Sequence, residues 1–238
     1  MPAAGEPDRF NSASSSTSSL PRLALAFLLA GLSFGQQEMR DPESLLRQGL
    51  KAYERKDLTL AISLWKRGLE VSAADKDDLF LGSFHGNLGI AYTALGEHAR
   101  AIEHYQASLE LARKGGDRQG QKNRLNNLAG LYLLARQPEK ALEVLEEGLK
   151  IARDLRDPLL EVKMLSNAGQ ALLLLRRSPE ASERFRLALE AAEAGWSELS
   201  ERERGELKDA LKRMQQAMVA QGLGEGAQEA AERIRRLR

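Results

Sequence analysis

The 238-residue chain has no cysteine, which rules out disulfide staples, thiolate metal sites and cysteine nucleophiles and leaves either redox environment open. Aromatic residues make up only 5%, against 42% hydrophobic and 29% charged residues. That is the Ala, Leu, Glu, Arg and Lys economy of stacked helices rather than of a sheet. Charge of one sign is also missing: 35 basic side chains face 34 acidic ones. A general nucleic-acid or membrane-surface role needs a one-signed field, and neither is expected.

Catalytic apparatus is equally scarce. There is no Gly-rich phosphate loop, and the only histidines are His85, His98 and His104. His98 and His104 stand six apart, so they fall on different helix faces and do not form the i, i+4 pair of a helix-borne metal site. Glu146-Glu147 reads as an exposed helical face. The sequence therefore predicts no enzyme, no metal, no cofactor and no small-molecule substrate.

What the chain does contain is a period. Ala61, Ala101, Ala141 and Ala181 are spaced by 40 residues, and the same shift superimposes Gly49, Gly89, Ala129 and Gly169. It also superimposes Trp65, Tyr105, Leu145 and Phe185, then Gly68, Ser108, Gly148 and Ala188, then Leu69, Leu109, Leu149 and Leu189. A fixed period of this length means a solenoid or array. Within a unit, Leu88, Gly89 and Tyr92 share one helical face, and Ala101, Ile102, Tyr105, Ser108 and Leu109 recur at three- and four-residue steps in a second helix. Breaks fall at Lys56-Asp57, Gly96-Glu97, Gln137-Pro138 and Ser178-Pro179, where proline suits the first turn of a helix.

Gly49, Ala61, Trp65, Gly68 and their copies resemble the tetratricopeptide repeat, whose signature is small, small, aromatic and small residues at this spacing. A spacing of 40 is similar to the long variant found in kinesin light chains and in bacterial sensor and adaptor proteins. The resemblance implies an all-α, right-handed α-solenoid of helix hairpins, a protein-binding platform without catalytic residues of its own. Four repeats are expected over residues 42–194 (about 42–76, 77–116, 117–156 and 157–194). Residues 195–238 read as a degenerate fifth unit: Ser200 and Glu203 form a capping box, and Leu207, Leu211, Met214 and Met218 make an apolar stripe.

The first 35 residues differ from the rest. Residues 1–19 are rich in Ser, Ala, Pro and Gly, and cannot bury enough apolar surface to order themselves. Leu23 to Gly35 is an apolar run of 13 residues, short for a spanning helix but suited to a signal-peptide core, with small residues Ser33 and Gly35 at cleavage spacing. Export to the periplasm or beyond is the expectation, with translation starting near Leu20. The alternative is a cytoplasmic protein whose apolar helix docks on the first repeat. Residues 36–41 form a linker.

Packing does not require one further column. Asn87, Asn127 and Asn167 each stand two residues before the small residue of a first helix, with Arg47 in the equivalent place, and the chain holds only six asparagines. Asparagine is a mediocre helix former. In tetratricopeptide arrays the first helices line a concave groove, and this column resembles the asparagine ladder that grips extended peptides. One carboxamide can donate to a peptide C=O while accepting from a peptide N–H. Leu133, Leu134, Leu173 and Leu174 would form an apolar floor, with Asn126, Lys163 and Gln170 as polar or cationic contacts. Alternatively, the asparagines bond across adjacent helices and hold the array together. The basic link around Arg113, Lys114, Arg118, Lys122 and Arg124 reads as a solvated helix end, or as a rim attracting an acidic partner. The paired basic and asparagine pattern of chaperone-binding relatives is not reproduced. The function expected is a peptide-binding adaptor; the alternative is an assembly scaffold using its convex face, including a homo-oligomer.

Overall fold

Seven of the eight helices of the four repeats stop in the same way. A computed structural model describes residues 41–237, and there a residue in the left-handed region stands every 20 positions: Lys56, Lys76, Gly96, Gly116, Arg136, Arg156 and Arg176. At each, the N–H of the following residue returns to a carbonyl five residues back, as in Asp57 to Ala52 (2.9 Å), Asp77 to Ser72 (2.9 Å) and Glu97 to Tyr92 (2.9 Å). This is the Schellman closure, which satisfies carbonyls that a helix end would otherwise orphan. The turn inside a repeat and the link between repeats are thus one backbone device.

Five helices start on a carboxylate, among them the first helix of each of the four repeats. Asp41, Asp57, Asp77, Asp117 and Asp157 each accept a hydrogen bond from a backbone N–H two or three residues on. Such a cap stabilises a helix start by about 1 kcal/mol. Between these signals run α1 (Pro42–Glu54), α2 (Leu58–Asp75), α3 (Asp78–Ala94), α4 (His98–Lys114), α5 (Arg118–Leu134), α6 (Pro138–Asp154), α7 (Pro158–Leu174) and α8 (Ser178–Gly195). After a 3₁₀ turn at Trp196–Glu198 come α9 (Glu201–Ala220) and α10 (Gly224–Arg236). No strand occurs among the described residues. The described chain is an all-α solenoid, as its period predicts.

Consecutive helices pack as antiparallel pairs, and the small columns are where they approach. A β-carbon added at Gly49 would overlap the Trp65 ring, one at Gly89 the Tyr105 ring and one at Gly169 the Phe185 ring. In these three repeats the aromatic of the second helix therefore lies on the glycine of its own first helix, and the third repeat has Leu145 and Ala129 there. Between repeats the same trick recurs, with Phe84 against Gly68 and Met164 against Gly148. Ala61, Ala101, Ala141 and Ala181 are fully buried.

The odd-numbered helices form the inner layer. α1 touches α3, α5 touches α7 and α7 touches α9 directly, whereas α3 and α5 make little direct contact. The α9–α10 pair closes the array: α9 packs on α7, and Arg233 of α10 donates to Glu193 of α8 at 2.7 Å. Buried Leu207, Ala210, Leu211 and Met214 stand 42 residues after buried Leu165, Ala168, Gly169 and Leu172, two more than the period. The extra residues sit in the 3₁₀ link, which is why a strict 40-residue shift does not align this pair.

The apolar run of residues 23–35, on which the expectation of export rests, lies outside the described residues. Among the described residues no helix is long and apolar enough to cross a membrane.

Candidate functional site

Three inner helices build two adjoining cavities. Asn126, Asn127, Gly130, Leu131 and Leu134 of α5 face Lys163, Ser166, Asn167 and Gln170 of α7, and Ala210 and Arg213 of α9 form the far wall of a space of about 380 Å³. Leu133, Leu134, Leu173 and Leu174 floor a second space of about 710 Å³, which shares Gly130, Asn167 and Gln170 with the first and ends at Ala217, Ala220 and Gln221. The expected floor and the expected polar contacts of the third and fourth repeats therefore meet in one groove. Leu134 is 67% exposed and Leu174 39%, unusual for leucines and open to an apolar partner.

The polar groups differ in how far they are already engaged. Burial raises the pKa of Tyr105 on α4, and the Thr93 and Asn127 side chains, close to its hydroxyl, oppose the rise. Asn127 therefore lies beside the neighbouring α4 helix as well as the groove. Asn126 and Asn167 are half-buried and make no side-chain hydrogen bond among the described residues. Lys163 donates to Glu206 of α9 at 2.9 Å, so it ties the closing helix to the array and offers the groove a largely neutralised charge. No carboxylate lines either cavity, while Arg213 and Arg136 bring cations to its edges.

Arg47 on α1 is exposed and Asn87 on α3 half-buried, and neither lines these two cavities. The column predicted from the sequence is one line in register but not one site: its third and fourth members converge, and its first and second lie further along the array. Thr93, Tyr105, Ser166, Arg136 and Arg213 join the site without having been picked out. The column of Gly86, Asn126 and Ser166, one residue before the asparagines, was the available signal, since it changes from glycine to polar as the groove begins. The wall from α9 had no periodic signal, because that helix is out of phase.

The tetratricopeptide repeat profile matches residues 42–114 and again residues 80–154. No curated protein sequence matches the chain. Among solved structures, the apo form of RapI superimposes with a TM-score of 0.68 at 19% identity, over 82% of this chain and 69% of that one. A putative kinesin light chain from Podosopora anserina with nearly identical TPR-like repeats gives 0.65 at 16% identity, over 84% and 95%. A Rap protein complexed with Competence and Sporulation Factor gives 0.59 at 19% identity, over 81% of this chain and 52% of that one. The chain belongs to the tetratricopeptide repeat family through residues 42–154. It is a protein-interaction scaffold.

Proposed function

We propose that the groove of α5, α7 and α9 holds an extended segment of a partner protein, with Asn126 and Asn167 bonding its backbone and Leu133, Leu134, Leu173 and Leu174 receiving apolar side chains. The observation that carries this is the pair of unpartnered, half-buried carboxamides beside the exposed Leu134 and Leu174. Gln48 and Lys122 of the inner face find partners within the protein, while Asn87, outside the groove, makes no side-chain hydrogen bond among the described residues. A carboxamide bond is worth about 0.5–1.5 kcal/mol net, so the asparagines set register and tolerate sequence, and the leucines supply most of the affinity. The Rap protein complexed with Competence and Sporulation Factor supports the reading through shared fold alone.

The test is selection from a displayed random-peptide library against the full chain, followed by binding titrations with Asn126→Ala/Asn167→Ala and Leu134→Asp/Leu174→Asp variants. Selected peptides should lose roughly tenfold in affinity on the asparagine pair and more on the leucine pair, with melting temperatures unchanged. Equal binding by both variants overturns the groove reading. We further propose that residues 23–35 direct export; N-terminal sequencing of the natural protein checks it, with a start at Gln36 expected and one at Pro2 contradicting it.

A further inference from the structure

Among the three junctions of the four repeats, one breaks the packing rule that the other two keep. Where repeats meet, a large apolar side chain of the incoming inner helix lies on a glycine of the preceding outer helix: Phe84 on Gly68, and Met164 on Gly148. Between the second and third repeats the equivalent positions are Arg124 and Ser108. The Arg124 Nε donates to Ser108 Oγ at 2.8 Å, and Ser108 Oγ donates to the Gly82 carbonyl at 2.6 Å. The guanidinium fills the space a side chain on Gly86 would occupy. This is also the junction at which α3 and α5 scarcely touch, and a crevice of about 330 Å³ opens there, lined by Leu79, Gly82, Ser108, Leu111 and Arg124.

Arg124 is half-buried, and its two terminal nitrogens have no hydrogen-bond partner among the described residues. Of the other half-buried arginines, Arg184 and Arg233 have carboxylate partners, Glu146 and Glu193, each at 2.7 Å, and Arg204 uses a terminal nitrogen as well as Nε, on the Ser197 (3.4 Å) and Trp196 (3.1 Å) carbonyls. Two carboxylates line the crevice, and both are engaged. Asp117 accepts from Gly120 N at 2.8 Å, and Asp78 pairs with Lys114. Burial lowers the Arg124 pKa, against the raising charges of Tyr105 and Asp117, neither of which makes a hydrogen bond to the guanidinium. A desolvated, unpaired cation is costly unless something supplies the missing charge.

We propose that the crevice at Arg124 is a binding site for a carboxylate group carried on a short apolar stem, the carboxylate meeting the terminal guanidinium nitrogens and the stem lying on Leu79 and Leu111. The carboxylate belongs to a free small acid or to a glutamate in a partner segment. The site is separate from the two groove cavities and does not depend on what they hold.

The test uses the full chain with four probes at constant ionic strength: pentanoate and its amide, and a capped Leu-Glu-Leu tripeptide and its Leu-Gln-Leu counterpart. The readout is the Arg124 Nε–H resonance together with the melting temperature. Carboxylates are expected to move both and amides neither. Response to pentanoate as well as to the tripeptide assigns the site to small acids, and response to the tripeptide alone assigns it to acidic segments; both uphold the proposal. Arg124→Met, which copies Met164, should lower carboxylate affinity by about tenfold or more. Should that variant not fold, Ser108→Ala frees Nε and should weaken binding several-fold. No response to either carboxylate at about 10 mM, well above a millimolar Kd, overturns the proposal, as does undiminished binding by Arg124→Met.

Discussion

His85 and His104 occupy positions that hold Leu45 with Leu64 in the first repeat and Leu125 with Val144 in the third. Their Nδ1 atoms lie 2.9 Å apart, one donating to the other, and the His104 ring stacks on Tyr92 with centroids 5.3 Å apart. Burial, then the charge of His85 and of Lys66, pulls the His104 pKa down to about 4, and burial lowers that of His85. In the unfolded chain a histidine titrates near 6.5. Between these values the unfolded state binds more protons, so stability is fully present above about pH 6.5 and falls as the pH drops toward 4. We expect the melting temperature to decline through this window and the decline to flatten in His85→Leu/His104→Leu. Urea titrations at several pH values would show it, and equal slopes in both proteins would refute it. Also at the residue scale, Lys56 and Arg156 hold left-handed backbone that favours glycine. Replacing either by Gly should stabilise by about 0.5–1 kcal/mol, the relief of strain outweighing the added freedom of the unfolded chain.

For single helices the decisive quantity is whether a glycine has room for a β-carbon. Gly169 has none, because the buried Phe185 ring lies against it, and Gly169→Ala should cost about 1–3 kcal/mol. Gly205 in α9 has nothing within 4 Å, and Gly205→Ala should stabilise by about 1 kcal/mol through helix propensity. Opposite signs for one chemical change, read by thermal unfolding, test the assignment of the small column to packing. This column was legible in the sequence because tight packing admits few residues, and the same constraint made the four helix pairs legible. The groove was legible only in part. Leu133, Leu134, Leu173 and Leu174 could be placed by phase, but the engagement of Lys163 could not, since Glu206 lies 43 residues away on a helix that has slipped from the period. Tyr105 was read as packing alone, and its hydroxyl contact with Asn127 depends on the curvature of the array, which no periodicity encodes.

At the scale of the molecule, stability is a sum of neighbouring contacts. Ion pairs run along it from one repeat to the next: Arg113 with Glu147, Lys122 with Asp157, Arg184 with Glu146 and Arg233 with Glu193. The more exposed of these, such as Arg113 with Glu147, contribute about 0–1 kcal/mol each, so the hydrophobic faces carry the assembly. Removing residues 200–238 would uncover the face of α7 that α9 covers, where Ser166 hydrogen-bonds Met214. We expect the shortened chain to aggregate, as light scattering would show; a soluble monomer would contradict the capping role of α9 and α10.

The uniform turn has a further consequence. Since the same left-handed closure ends inner and outer helices alike, the array has no privileged reading frame, and 40 residues can be excised from any turn without disturbing the alternation of layers. Deleting 78–117 or 98–137 each rejoins a helix end to a helix start through an intact turn. The two shortened proteins should nonetheless differ. The first keeps Arg124 and sets it on Gly68, stripped of its serine, whereas the second removes the polar junction and leaves an unbroken series of apolar contacts, so the second should melt at the higher temperature.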